Sequence, residues 1–332
     1  LLKNNGQPTP VGVGNLANNA DTRGMAIGDI DGDGDIDLIT ANFGSENLIY
    51  VNNGSFNFAS PIVLDNSGDS TMDLAMADLD ADGDLDVVTA ENGSVNKIFG
   101  NDSAGVFSAA GSVVDQGAGS AENSTQTYAV KISDIDGDGQ PDGVFGNYNT
   151  PNTVFLSKTD TWSSIGSTTM QTARLELGDL DGDGDQDVVV GNYNKKNQVY
   201  LFDPSATNKF VVRDLHSDVD NTWALGLGDL DHDGDLDVLT TATGGQGQSV
   251  NRIYYNSSSP LAPRIVSVSP APWSSKSAKN AGIGVVFSES VNGSGGIVAH
   301  GSQSGRVAGS VTGNGTGSRG LVPQTPFFPG EI

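Results

Sequence analysis

Five stretches of this chain, beginning at Asp29, Asp78, Asp134, Asp179 and Asp229, follow the pattern D-x-D-x-D-G-x-x-D. The first carries Asp29, Asp31, Asp33, Asp35 and Asp37 around Gly34, and the second Asp78, Asp80, Asp82, Asp84 and Asp86 around Gly83. The third carries Asp134, Asp136, Asp138, Gln140 and Asp142, the fourth Asp179, Asp181, Asp183, Asp185 and Asp187, and the fifth Asp229, Asp231, Asp233, Asp235 and Asp237. Carboxylates packed this closely repel and raise one another's pKa unless a cation neutralises them. Ca²⁺ suits the pattern because it takes about six to eight oxygen ligands in a flexible shell, whereas Mg²⁺ keeps its waters. Alternation turns the side chains at positions 1, 3 and 5 toward one centre, glycine at position 6 permits the sharp turn, and position 9 closes the shell. Position 7 offers its backbone carbonyl, so Gln140 there is compatible with the same geometry. About five Ca²⁺ sites are expected.

An EF-hand would need an acidic residue at position 12 and flanking helices. Position 12 here is Thr40, Thr89, Phe145, Val190 and Thr240. The flanks instead show strand patterning. Alternating Met72, Leu74 and Met76, or Trp223, Leu225 and Leu227, come before the loops, and short β-branched runs such as Val188, Val189 and Val190 come after them. Each loop is therefore a strand-to-strand hairpin connection. Turn chemistry alone can account for one Asp-Gly string; five in phase call for a common ligand.

The loop starts lie 49, 56, 45 and 50 residues apart, a period that marks a propeller or solenoid array. Each unit aligns as four strands. The first runs into the loop and the second leaves it. The third begins near Asn47, Lys97, Thr153, Gln198 and Arg252, and the fourth is looser, as at Phe56 to Leu64 or Phe210 to Val212. Four antiparallel strands repeated about an axis predict an all-β β-propeller, five repeats plus a partial one. Small residues along the first strand, Ala75 and Ala77 or Gly226 and Gly228, predict crowding near the axis. The metal loops then share one face, and turns such as 42–47, 92–96, 147–152 and 192–197 share the other, where Asn and Gly act as turn formers.

These residues resemble the integrin-type FG-GAP repeats and their bacterial VCBS-like relatives, over residues 1–258. The resemblance implies a calcium-binding β-propeller in which positions 1, 3, 5 and 9 of each loop are side-chain ligands and partners bind on the face away from the metals. Phe43-Gly44 and Phe145-Gly146 stand near the FG position, with no Gly-Ala-Pro after them, so a bacterial secreted protein is the better match. Seven blades are usual in such a family. Residues 1–6 read like the end of a third strand and 10–15 like a fourth, so the chain reads as a piece of a larger propeller.

After residue 260 the composition shifts: two acids against five bases, compared with 39 against 11 before it. This predicts a boundary between repeats at 1–260 and a second domain at 261–332. Strand-like runs at 265–269 and 283–287, with Phe327 to Glu331, resemble a partial bacterial Ig-like β-sandwich.

The five loops hold 24 of the 41 acidic residues, so the net charge of −25 is largely ligand charge. It argues against nucleic acid or an anionic membrane as partner, both of which need basic patches. No apolar run is long enough to insert into a membrane. Cysteine is absent, which removes disulfides and thiol chemistry. Extracellular modules bind Ca²⁺ with dissociation constants of about 10⁻⁴ to 10⁻³ M, so the chain is expected to be secreted or at a bacterial cell surface. The three histidines, His216, His232 and His300, lie in different segments, and no nucleophile elbow, zinc helix or phosphate loop occurs. No enzymatic activity is expected. Three functions stay open: a calcium-stabilised adhesion or recognition module for an extracellular protein or glycan, a lectin using Phe43, Tyr148, Tyr193 and Lys195, and a polysaccharide lyase or hydrolase on a propeller scaffold.

Overall fold

The computed structural model describes residues 2–3, 11–12, 16, 20–54, 58, 60–101, 105, 107–108, 126–159, 161–166, 170–206, 208–243, 251–256, 265–269, 282–291, 299–301, 305–307, 309–312 and 316–323. Every regular element among them is a β-strand. Each repeat opens with a strand we call a: Asp21–Gly28, Thr71–Ala77, Gln126–Ser133, Thr172–Gly178 and Asp220–Gly228. The Asp-rich loop follows, then strand b: Asp37–Phe43, Asp86–Glu91, Asp142–Tyr148, Asp187–Lys195 and Asp237–Ala242. Strand c is Asn47–Tyr50, Lys97–Asn101, Asn152–Leu156, Gln198–Phe202 and Arg252–Tyr254. Strand d is Ile62–Asp65, Phe107–Ser108, Thr161–Ile165 and Phe210–Asp214. The strands pair in the order a-b-c-d, all antiparallel, so each repeat is one meander.

Strand a of each repeat packs beside strand a of the next, which makes the meanders consecutive blades of a β-propeller with a strands innermost. Strand b lies between strands a and c of its own sheet and is buried along nearly its whole length in the first three blades, which is why it reads as a continuous apolar run instead of alternating. Ile39, Ala41 and Ile49 of the first blade pack on Leu74 and Met76 of the second. Val88 and Ala90 of the second meet Val130 and Phe145 of the third, and Val144 and Val154 of the third meet Leu175 and Val188 of the fourth. Each large aliphatic or aromatic side chain among them contributes about 1.5–3 kcal/mol on full burial.

The crowding expected along strand a occurs, but not at Gly226 and Gly228. An added Cβ would meet nothing within 4 Å at either glycine. Leu239 in the same blade is 37% exposed where Ile39, Val144 and Val189 are fully buried, because no described sheet packs beyond the fifth. The tight places lie between blades instead. A Cβ on Gly146 would come 2.6 Å from Thr172 Cγ2, and one on Gly191 2.8 Å from Thr222 Cγ2. Only a glycine lets the next a strand approach so closely.

Leu2–Lys3 pairs antiparallel with Val11–Gly12 in a two-stranded sheet, separate from the fifth blade, which has three strands among the described residues. The expected boundary after residue 260, the start of the first blade's strand d at Phe56 and the final stretch from Phe327 lie outside the described residues. Toward the C-terminus, Ile265–Ser269, Ile283–Val291, Thr316–Pro323 and Gly309–Thr312 form one antiparallel sheet, and Ala299–Gly301 pairs with Gly305–Val307.

Candidate metal loops and the opposite face

The loop conformation is dictated locally. Glycine at position 6 sits at φ +96° to +102° in all five copies, the left-handed region that favours glycine. Position 4 is left-handed as well, occupied by Gly32, Gly137 and Gly182 but also by Ala81 and His232. His232 is thus a strained loop residue. Within this turn the position-1 carboxylate accepts the position-6 N–H: Gly34 to Asp29 at 3.1 Å, Gly83 to Asp78 at 3.2 Å, Gly139 to Asp134 at 3.0 Å, Gly184 to Asp179 and Gly234 to Asp229 at 3.1 Å. The position-5 carboxylate accepts the position-7 N–H, and Gln140 donates to Asp138 at 3.0 Å as the aspartates at that position do.

The position-9 aspartates do something that spacing did not suggest. Asp37 accepts Ile30 N–H at 2.8 Å and, from the end of strand c, Asn52 N–H at 2.7 Å. Asp142 takes Ile135 and Ser157, both at 2.9 Å, Asp187 takes Leu180 and Phe202, both at 2.8 Å, and the second and fifth blades repeat the arrangement at Asp86 and Asp237. Each position-9 carboxylate clamps its loop to the end of strand c, and each oxygen keeps a lone pair for a cation. The signal was present in the sequence only as an aspartate fused to the start of strand b.

Carboxylate oxygens of Asp29, Asp31 and Asp33 lie within 4.8 Å of one another, as do those of Asp78, Asp80 and Asp86, of Asp134, Asp136 and Asp142, of Asp179, Asp181 and Asp187, and of Asp229, Asp231 and Asp237. Positions 1 and 3 are therefore together in every loop. Position 9 joins them in four, and position 5 in the first. The position-7 side chains, Asp35, Asp84, Gln140, Asp185 and Asp235, stand outside these groups, which suits a residue expected to offer its carbonyl. Burial pushes Asp142 and Asp187 up to about 7 and Asp78 up to about 6, and neighbouring aspartates push the same way against the backbone N–H bonds. Asp37, Asp86, Asp134 and Asp179 are also raised, chiefly by burial. Buried oxygens Asp78 Oδ1 and Asp136 Oδ1 have no hydrogen-bond partner. A divalent cation would answer both problems, since it ligates such oxygens and favours their charged form. The donor set, all hard oxygen, fits Ca²⁺.

At the other end of each blade the turns expected to be simple turn formers hold a buried amide ladder. Asn47 Oδ1 accepts Asn42 N–H, Asn96 Oδ1 accepts Glu91 N–H, Asn152 Oδ1 accepts Asn147 N–H and Asn197 Oδ1 accepts Asn192 N–H, all at 2.8 Å. The same residues reach the next blade: Asn47 Nδ2 donates to Thr71 at 2.8 Å, Asn96 Nδ2 to Thr127 at 3.1 Å, and Thr222 donates to Asn197 at 2.9 Å. Thr172 Oγ1 lies 2.8 Å from Asn152 Oδ1 and 3.1 Å from Asn192 Oδ1. Because the ladder joins like ends of neighbouring blades, all five Asp loops sit at the opposite end. Glu91, fully buried, stands where other blades have Asn42, Asn147 and Asn192, and burial pushes its pKa up.

The family model for FG-GAP-like repeats matches residues 29–89, 78–145, 134–190 and 179–240. The chain belongs to the FG-GAP-like repeat family. Each match begins at position 1 of one Asp loop and ends in strand b of the next blade. No curated protein matches the chain. Among solved structures, BBS1N in complex with ARL6DN, soaked with mercury, is similar at 14% identity and TM-score 0.44 over 93% of this chain and 94% of that one. The V. cholerae biofilm matrix protein Bap1 is similar at 15% identity and TM-score 0.45, over 71% of this chain and 38% of that one.

Of the residues singled out for the face opposite the loops, Phe43 and Tyr148 end their b strands, and Tyr193 and Lys195 extend theirs. The turn expected at 192–197 is partly strand: Tyr193 pairs with Asn221 and Lys195 with Asp220 of the next blade, which ties the fourth and fifth blades into one sheet. Phe43 lies 5.2 Å from the Arg23 guanidinium, Tyr148 stacks on Tyr128 at 5.2 Å and Tyr193 meets Trp223 edge-on at 5.6 Å. Trp223 counts in the sequence only as one residue of an alternating strand, and Arg23 and Tyr128 carry no signal for this face, because each is the extra residue of a β-bulge in strand a, a register break that composition does not reveal.

Proposed function

We propose that this FG-GAP-like chain is an extracellular recognition module whose blades are held by Ca²⁺, working in a secreted or surface-bound bacterial protein. The observation that carries the reading is the fivefold recurrence of three converging carboxylates, with buried oxygens lacking partners in two of the loops. Positions 1, 3 and 9, with position 5 and the position-7 carbonyl, would hold the ion, which would supply positive charge to oxygens the fold has already gathered. The role is structural: the same aspartates clamp loop to strand c, so ion and hairpin stabilise each other. Residues 261–332 are assigned to a separate, partial Ig-like domain, and no residue is given a catalytic role. Calorimetric titration of Ca²⁺ into chelator-stripped protein tests the reading. About five equivalents are expected, and uptake of none or one would overturn it.

A lectin is the second reading. Aromatic pairs on the face away from the loops favour it, because exposed rings such as Trp223 and Phe43 offer flat apolar surfaces beside polar groups. Glycan-array binding by the calcium-loaded chain would support it over recognition of a protein.

A further inference from the structure

The five bulges in strand a fall at one place in every blade, directly after the ladder threonine: Arg23, Met72, Tyr128, Ala173 and Trp223. A bulge re-aims the side chain it carries. Just inside this rim the a strands of the first four blades line a partly open cavity of about 190 Å³, bordered by Arg23, Met72, Asp73, Lys131, Arg174 and Glu176 among others. Three cations face two anions there, in a chain whose net charge is −25. Their pairing is incomplete. Lys131 and Glu176 stand 3.4 Å apart, Arg23 reaches out to Asp21, and Asp73 accepts Val130 N–H at 3.2 Å. Arg174 donates to the Ala173 carbonyl at 2.6 Å; it acts on Asp73 only through the field, with no carboxylate at ion-pair distance among the described residues.

We infer that this axial cavity receives one carboxylated sugar residue of a glycan, with Arg174 facing its carboxylate and Asp73 and Glu176 accepting from its hydroxyls. The inference rests on the recognition reading above and names its ligand. Chemistry selects the class. A guanidinium fork matches a carboxylate, so a neutral sugar would leave Arg174 without its partner. An inorganic anion would meet Asp73 and Glu176, which repel it, whereas a polyhydroxy carboxylate uses both signs of charge. The volume lies below the range of about 300–1,000 Å³ usual for drug-sized ligands, so a single ring fits better than an enclosed oligomer. Tyr128 stacked on Tyr148, and Phe43 beside Arg23, place ring faces at the rim where the next sugar would lie.

The test is ligand-observed NMR titration of the calcium-saturated chain with glucuronate, glucose and sulfate. Glucuronate is expected to saturate and to bind at least about tenfold tighter than either control, and Arg174→Gln to lose about tenfold or more. Arg23→Gln, at the exposed rim, gives a smaller loss and serves where Arg174→Gln disturbs folding. Absence of saturable glucuronate binding, equal binding of sulfate, or unchanged binding in both variants would overturn the inference. Calcium stoichiometry on the same samples separates the two levels: full uptake without glucuronate binding refutes the cavity alone, and no uptake refutes the reading beneath it.

Discussion

At one end of each blade Asp134, Asp136 and Asp142 bring like charges within a few ångströms, while at the other Asn96, Thr127 and Asn147 bring neutral donors and acceptors just as close. Both clusters are largely buried, and both recur at the blade period. The Asp end is incomplete as a set of protein groups, because carboxylates offer acceptors and no donors. The Asn end largely satisfies itself. One end should therefore depend on a cation and the other should not, although the same b strand connects them.

Chelation should separate the ends most strongly. At ~2 mM Ca²⁺ and a dissociation constant of ~10⁻⁴ M, each proposed site would add about 2 kcal/mol, so five would supply most of a typical domain's stability. Hydrogen exchange in excess chelator, under conditions where the chain stays folded, should speed up first at Ile30, Leu79, Ile135 and Leu180 and last at Asn42, Asn147 and Asn192. Equal acceleration at both ends would erase the distinction.

Asp142→Ala should come next. It deletes a proposed ligand and leaves the Ile135 and Ser157 N–H groups without their acceptor, which should cost about 2–5 kcal/mol and remove one equivalent of calcium. Thr172→Val addresses the opposite end in the neighbouring blade. With Asn152 and Asn192 losing a shared hydroxyl, about 1–3 kcal/mol should disappear, by the same amount with calcium or with chelator. A calcium-dependent loss would show that the ends are coupled through strand b.

Glu91 lets pH probe the neutral end. Burial raises its folded-state pKa above the unfolded value, so the wild type loses stability as pH rises through the raised value. Glu91→Gln restores the amide of the other blades, and its melting temperature should exceed that of the wild type by a few degrees at pH 8, with the gap closing toward pH 4. The smallest effect is expected at His232→Gly, which relieves a left-handed residue at φ 63° and should stabilise by about 1 kcal/mol without changing calcium stoichiometry.

The difference between the ends also explains what could be seen in advance. Five aspartate strings stand out because few other roles call for so many carboxylates in nine residues. The Asn ladder was equally periodic, with Thr22, Thr127 and Thr172 each twenty residues before Asn42, Asn147 and Asn192. It is not legible in the sequence because asparagine near glycine is an ordinary turn signal, and the threonine that the turn's last asparagine reaches, such as Thr71 for Asn47, belongs to the next blade. Crowding was assigned to Gly226 and Gly228 for a similar reason: alternation of small residues shows where a strand can be approached, and the neighbouring sheet determines whether it is.

What the amino-acid sequence determined alone is local and periodic: the Asp-Gly turn, the strands on either side, the fifty-residue unit and the hard-oxygen donor set. These follow from backbone geometry and charge within nine residues. Tertiary structure alone decided which carboxylate doubles as a clamp, which asparagines are buried, and which charges from four separate blades line one cavity. Those outcomes depend on how closely neighbouring a strands approach, and that distance is set by side chains that lie a whole repeat apart in the chain.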